Sequence, residues 1–333
     1  MENKKVKIVL SIIFILIVVA VIVLINIYNE EIAAKAKEIQ EIITQTGYKS
    51  NDEIQIVPTM QDEISDNAIW CATFQLVWND LKNDVAKTDI VFNETVTEAE
   101  NLNKEEFNVT MISDDYYYKK CGIMNENLKK EIENGVKDKF GETATILNDF
   151  DWTDEGDKKY FLYAMLKREF EFYTEFDNLE KGTFANKYEN VNYFGIDDET
   201  DNSAREQVEV MYYNSKDDFA ILINTKQNDQ VIIVKGNEGK TFKDIYDKVK
   251  NSTYIGSRSL QENEYLKIPN VKLKEKKEYE KLEDKEFALS NGELLEIAKA
   301  VQTVEFELDK NGGKVKSEAA MEINRASLPV EQT

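Results

Sequence analysis

Residues 300–320 read AVQTVEFELDKNGGKVKSEAA, and the first half of this segment alternates as a β-strand does. Val304, Phe306 and Leu308 fall on one side of an extended chain, because successive side chains of a strand point to opposite faces. The pattern predicts a strand over 301–308. This strand is the last of a series that occupies the second half of the chain.

The same two-residue period begins near residue 189 and recurs several times before residue 300. Val208, Val210 and Tyr212 alternate with polar neighbours. The further predicted strands cover 219–223, 231–234 and the segment around Pro269.

Predicted helices lie mainly in the first half. Residues 66–82 carry an aromatic and aliphatic stripe at helical spacing, and residues 125–140 carry apolar residues at four-residue steps. Thr241 to Asp244 form a capping box that begins a helix through Val249, and Ser290 to Glu293 predict a helix over 293–300. Early helices followed by strands, without regular βαβ alternation, predict an α+β fold with a mostly antiparallel sheet core.

An apolar, uncharged run precedes this domain. Residues 8–28 number twenty-one, and at about 1.5 Å per residue a helix of that length spans the hydrocarbon core of a bilayer, about 30 Å. Lysines precede the run and Glu30 and Glu31 follow it. The positive-inside rule therefore predicts a single-pass anchor in the cell membrane, with the N-terminus cytoplasmic and the rest extracytoplasmic. The alternative is a cleaved signal peptide, whose apolar region is normally shorter.

These features divide the chain into three parts. Residues 1–28 form a cytoplasmic tip and the transmembrane anchor, which takes the lipid bilayer as its partner. Residues 29–50 form a stalk helix, with Gly47 as a plausible C-cap. Residues 51–333 form the extracytoplasmic domain.

The charge and composition exclude several classes of function. A net charge of −22 is unsuited to phosphate backbones, so we expect no nucleic-acid partner. Histidine is absent, which removes Ser-His-Asp and Cys-His nucleophilic sites and His-ligated zinc. We expect no enzymatic activity, no catalytic residue, no metal and no cofactor.

The two cysteines leave two alternatives. Cys71 and Cys121 both fall in the extracytoplasmic part, where a disulfide between them is one alternative. The other is two small buried thiols, since Cys71 lies among Trp70, Phe74 and Trp78.

Two motifs resemble known binding loops but lack the residue spacing that those loops need. Gly236 to Thr241 follows a strand and precedes a helix, but only two residues separate its glycines, whereas a phosphate loop needs four. The acidic residues of 149–157 resemble a calcium loop, but an alignment on Gly156 puts Leu162 where the bidentate glutamate belongs.

The order of segments from residue 127 onward resembles that of a divergent serpin. The segments that carry the resemblance are 128–147, 161–184, 207–223 (QVEVMYYNSKDDFAILI), 266–273 (LKIPNVKL) and 300–320. Residues 160–172 contain the helix formers Leu, Ala, Met, Lys and Glu, and composition alone predicts a helix there. The resemblance implies instead that they form a central strand.

The resemblance also implies a reactive-loop hinge after the last predicted strand. Its hinge-like residues are Gly312, Ser317, Glu318, Ala319 and Ala320. An inhibitory serpin traps proteases by inserting its cleaved loop into the main sheet. If this chain inhibits, its bait lies around Arg325 to Glu331, and Arg325 suits a trypsin-like protease.

The sequence departs from the serpin pattern in several places, which include a shortened N-terminal region and about three extra residues, Lys314 to Lys316, before Ser317. Glu322 and Arg325 follow the hinge, and burying either one unpaired would cost several kcal/mol. The chain stops at Thr333, whereas a complete serpin continues into two buried strands. Either these strands are absent or the sequence is a fragment. Together with the predicted anchor and a composition rich in Ile, Lys, Asn, Glu and Tyr, which is typical of AT-rich bacterial genomes, the resemblance implies a C-terminally truncated, membrane-anchored bacterial member.

These expectations combine into one function and one alternative. The first is a membrane-tethered, serpin-like protein that acts as a non-inhibitory binding module, or else as a serine protease inhibitor. Its partner is an extracellular protease or a cell-surface protein. The alternative is a structural or sensory cell-envelope ectodomain unrelated to serpins, which predicts a helix over 160–172.

Overall fold

A computed structural model of the chain describes residues 54–325, apart from residues 66, 154–158, 228 and 237–238. They belong to one compact unit, Lys49–Thr333. The predicted anchor at 8–28 and the stalk at 29–50 lie outside the described residues. Within the described ranges, no helix combines the length and the apolar character needed to cross a bilayer.

The described residues form fourteen strands and five α-helices. The strands are β1 (Gln55–Val57), β2 (Ala68–Trp70), β3 (Tyr117–Ile123), β4 (Tyr160–Glu171), β5 (Asp177–Phe184), β6 (Tyr188–Ile196), β7 (Val208–Ser215), β8 (Asp218–Asn224), β9 (Gln230–Lys235), β10 (Leu266–Pro269), β11 (Val271–Glu278), β12 (Lys285–Ala288), β13 (Leu294–Asp309) and β14 (Gly312–Arg325). The helices are α1 (Thr73–Asp80), α2 (Thr97–Asn103), α3 (Glu126–Phe140), α4 (Asn202–Glu206) and α5 (Phe242–Asn251). A 3₁₀ turn, Thr145–Asp149, follows α3.

The largest sheet has six antiparallel strands. Their order is β11-β13-β14-β4-β3, and β12 pairs with the first part of β13. Two smaller sheets have the orders β10-β6-β5 and β7-β8-β9, and β1 pairs with β2 in parallel. The predicted α+β class with a mostly antiparallel sheet is confirmed.

Both faces of the large sheet are covered, which places the core on its two sides. On one face, Leu162, Ala164 and Met321 pack with residues of α1. On the other face, Phe161 and Tyr163 pack with α3 and with the 3₁₀ turn. A strand that is buried on both faces loses the polar alternation that marks a half-exposed strand.

Residues 160–171 illustrate this effect. They form β4, as the serpin resemblance implies, and the helix predicted from their composition is wrong. Residues 161–165 (FLYAM) are all fully buried, so apolar side chains stand at odd and even positions alike. Such a run cannot be distinguished from a buried helix by its period.

Two other helix predictions are also corrected by the structure. Of the predicted helix over 293–300, residues 294–300 belong instead to β13, where Leu295 and Ile297 are fully buried between β12 and β14. The predicted helix over 66–82 is present only from Thr73, because 68–70 form β2. The capping box of Thr241 and Asp244 and the helix beginning after Asn125 are confirmed.

Both cysteines are free thiols in the structure, so the disulfide alternative is not realised. Cys71 is buried beside Ile56 and Val304. Cys121 is half-buried in β3, where burial and the nearby Asp80 raise the pKa of its thiol to about 12.

This arrangement predicts slow thiol chemistry. The folded, non-reduced protein should react slowly with a maleimide at Cys121, whose thiolate is scarce at neutral pH, and not at the buried Cys71. Denaturation without reductant should then bring the total to two labels per chain, counted by intact mass. Labelling that needs prior reduction would contradict the free thiols.

Candidate functional site

The hinge-like residues lie in the middle of the large sheet rather than in a loop. Gly312, Ser317, Glu318, Ala319 and Ala320 all belong to β14, which runs between β13 and β4. Ala319 pairs with Gln302 on one side and with Ala164 on the other. β14 is therefore hydrogen-bonded along both edges.

A two-residue turn, Lys310–Asn311, joins β13 to β14. The Asp309 side chain accepts a hydrogen bond from the Asn311 N–H at 2.8 Å, as turn aspartates often do. Gly312 follows with φ +154°, where a Cβ would lie 2.0 Å from the Phe170 carbonyl oxygen. Glycine thus allows β14 to approach β4 directly after the turn.

A buried polar network ties β14 to α1. The Ser317 hydroxyl donates to the Thr303 carbonyl oxygen at 2.7 Å and lies 2.6 Å from the Thr73 hydroxyl at the start of α1. The Gln302 amide donates to the Cys71 carbonyl at 3.0 Å and to the Thr73 hydroxyl at 2.8 Å. These polar groups pair with one another in the core, which favours one register of β14.

Glu318 points to the other face of the sheet and is fully buried. Its carboxylate accepts hydrogen bonds from the Thr145 hydroxyl at 2.9 Å, from the Tyr163 hydroxyl at 2.9 Å and from the Ile146 N–H at 3.4 Å. Burial raises the pKa of Glu318, and these donors and the charge of Lys316 oppose the rise. The residue thus fastens the centre of β14 to the 3₁₀ turn.

The charged residues on either side of Glu318 are also paired. Lys316 is 3.2 Å from the Glu142 carboxylate and 3.5 Å from that of Glu305. Burial alone would raise the pKa of Glu142, but lysines at 167 and 316 lower it to about 2. Glu322 accepts a hydrogen bond from the Lys159 ammonium at 2.9 Å. The expected cost of an unpaired Glu322 is avoided by this partner.

Arg325 ends β14 at the rim of the sheet. Its side chain is half-exposed, with Nε 3.0 Å from the Glu293 carboxylate. It is opposite Leu295 in the sheet. The rest of the predicted bait segment, 326–331, lies outside the described residues.

The sequence singled out the hinge-like residues but not the partners that they have in the structure. Gln302, Thr73 and Thr145 complete the two buried networks, and nothing in the local sequence marks Thr73 or Thr145. Gln302 gives the one usable signal, because a glutamine at a strand position between buried neighbours needs a hydrogen-bond partner.

The comparisons with known proteins show a similarity of fold and nothing more specific. No protein-family model and no curated protein matches the sequence. Reaction-loop-cleaved lamprey angiotensinogen is 8% identical, with 67% of this chain and 79% of that chain covered and a TM-score of 0.41. Emu ovalbumin is 8% identical (77% and 89% covered, TM-score 0.40). Myxomaviral serine protease inhibitor 1 is 12% identical (63% and 83% covered, TM-score 0.42). In fold, the described part of the chain is similar to serpins.

Proposed function

We propose that the protein is a serpin-like binding module that does not inhibit proteases and has no enzymatic activity of its own. One observation carries the proposal: residues 312–325 already form a central strand of the large sheet in the uncleaved chain. An inhibitory serpin draws its trapping free energy from inserting the loop after cleavage. Here the strand already lies in the sheet before cleavage, so cleavage cannot release free energy by inserting it.

The contacts of β14 support this argument. Withdrawing the strand would leave the Thr145 and Tyr163 hydroxyls without the Glu318 carboxylate and would open the network around Ser317. Each buried polar group left unpaired costs about 1–3 kcal/mol. A loop-expelled, strained state is therefore strongly disfavoured for this chain.

The first test is incubation with serine proteases, including trypsin for Arg325. We expect simple proteolysis or resistance, no SDS-stable complex, and little change in Tm after cleavage near Arg325. Arg325→Ala should remove cleavage at that bond and change nothing else. An inhibitory serpin treated in parallel is the positive control. A covalent complex that Arg325→Ala abolishes would show that the chain is an inhibitor.

We further propose that residues 8–28 anchor the protein in the cell membrane and that the domain lies outside the cytoplasm. The support is the length of the apolar run and the lysines that precede it. The partner is then a cell-surface or secreted protein.

Fractionation tests the anchor. The full chain should stay in the membrane pellet after alkaline carbonate extraction, and protease added to intact cells should reach the domain. A chain beginning at residue 29 should be found in the soluble fraction. Release of the full chain by carbonate, or an N-terminus cleaved near residue 28, would contradict the anchor.

A further inference from the structure

The C-terminal end of α2 brings together a lysine amine, a side-chain amide and a buried carboxyl group. Lys104 is the C-cap of the helix, and its Nζ donates a hydrogen bond to the Asn101 Oδ1 at 2.8 Å. The Asn101 Nδ2 in turn donates to the Asp62 Oδ1 at 3.0 Å. The amide of Asn101 therefore lies between the amine of Lys104 and the carboxyl group of Asp62.

The amide and the carboxyl group lie inside the domain, whereas the lysine approaches from the solvent side. Asp62 is 8% exposed and Asn101 is 7% exposed. Lys104 is exposed. The Thr59 N–H and hydroxyl both donate to the Asp62 Oδ2, at 2.9 and 2.6 Å, so the carboxyl group is held in one orientation. Leu102 is fully buried in the core and fixes this turn of α2 against the domain.

The environment of Asp62 suits a group that carries a proton. Burial raises the pKa of its carboxyl group and the nearby Glu98 adds to the rise, although hydrogen bonds from Thr59 and Asn101 oppose it. A carboxyl group with a raised pKa is a better proton donor near neutral pH than an ordinary aspartate, which is almost wholly ionised there. The exposed amine of Lys104 can lose its own proton to water.

We propose that Lys104 and Asn101 join covalently through an isopeptide bond, with Asp62 as the residue that transfers the proton. The neutral amine attacks the Asn101 Cγ, so a bond forms between Cγ and the Lys104 Nζ. The bond between Cγ and Nδ2 breaks, and Nδ2 takes a proton from Asp62 and leaves as ammonia. Asp62 regains a proton from the attacking nitrogen. The step consumes no other reactant, and the chain loses the mass of one ammonia.

The geometry supplies the two things that such a reaction lacks in an ordinary surface contact. An amide is a poor leaving group until its nitrogen is protonated, and Asp62 is hydrogen-bonded to that nitrogen. The amine already touches the amide oxygen, which removes most of the entropic cost of bringing the two groups together. Residues three apart are neighbours on a helix surface, so the new bond closes a ring over the last turn of α2.

Trypsin mapping of the full chain, extracted in detergent, tests the bond. Within residues 88–119 the trypsin sites are Lys104 and Lys119, so an unmodified chain gives the peptides 88–104 and 105–119. Trypsin does not recognise a lysine whose amine is acylated. The cross-linked chain should therefore give a single peptide, 88–119, that is lighter by one ammonia. Its share should rise during incubation of the folded protein at about pH 9, because more of the lysine is then the free base.

Two variants serve as controls, with circular dichroism to show that each is folded. Lys104→Arg keeps the charge at an exposed position and should abolish the ammonia loss. Asp62→Asn keeps the shape of the side chain but removes the acid, and should slow the reaction about tenfold or more. The proposal is overturned if the wild-type chain gives only peptides 88–104 and 105–119 at full mass after the incubation. It is also overturned if Lys104→Arg still loses ammonia, or if Asp62→Asn cross-links as fast as the wild type.

Discussion

Glu318→Ala is expected to lower the free energy of unfolding by about 3 kcal/mol, because it leaves several buried donors without an acceptor. The Thr145 and Tyr163 hydroxyls and the Ile146 N–H all point at the Glu318 carboxylate. Alanine also leaves a cavity between β14 and the 3₁₀ turn. Urea unfolding followed by tryptophan fluorescence measures the change.

Glu318→Gln is the matched control, since it keeps the shape and an acceptor oxygen. Burial raises the pKa of Glu318 in the folded chain above its ordinary value of 4.5. The folded state therefore binds the carboxyl proton of Glu318 more tightly than the unfolded state does. Wild-type stability should fall as pH rises from about 4.5 through the folded pKa, and the loss should be complete above it.

Glutamine does not titrate, so the stability of Glu318→Gln relative to wild type should increase over the same pH interval. Comparing the two proteins at each pH cancels the contributions of shared groups that do not interact with residue 318. A difference that does not depend on pH would mean that Glu318 is not held in a destabilised ionised form. If Glu318→Ala and the wild type were equally stable, Glu318 would not stabilise the packing of β14 on the 3₁₀ turn.

Gly312→Ala is expected to cost about 3 kcal/mol of stability, because the new Cβ meets backbone rather than a movable side chain. The Cβ would lie 2.0 Å from the Phe170 carbonyl oxygen and 2.8 Å from the Glu171 Cα, at a φ of +154°. β14 must then move away from β4 at the first residue of their pairing. Thermal and urea unfolding measure the loss.

Gly292→Ala is the control for backbone conformation alone. Gly292 also has a positive φ, +84°, but a Cβ there meets nothing within 4 Å. Its cost should be about 1 kcal/mol. If the two variants are equally destabilised, the contact with β4 does not determine the effect at Gly312.

The sequence predicted the elements that are half-exposed or capped. The strand over 208–212 shows a two-residue period because one face is less buried than the other. The strands over 219–223 and 231–234 were predicted from short, continuous apolar runs. The helix over 125–140 keeps its stripe because only Leu128, Ile132 and Val136 face the core. In each case local sequence and burial agree.

Local patterns missed two strands, for different reasons. Residues 160–171 contain good helix formers, yet they form a strand in which 161–165 are buried on both faces. Residues 294–300 form the first part of β13, where Leu295 and Ile297 are buried and Leu294 is exposed. The resemblance corrected the first segment by its order in the chain. It did not correct the second, for which a false cap at Ser290 was the strongest local signal.

By itself, the sequence determined the α+β class, the apolar run at 8–28 and the absence of histidine chemistry. It also marked Gly312 and Ser317 to Ala320 as a special segment. Only the tertiary structure decided that this segment is a central strand and not a loop. The physical reason is that Glu318, Lys316 and Glu322 can be buried only where partners distant in sequence meet them: Thr145, Glu142 and Lys159. These contacts form only when the sheet assembles, and no local sequence pattern determines them.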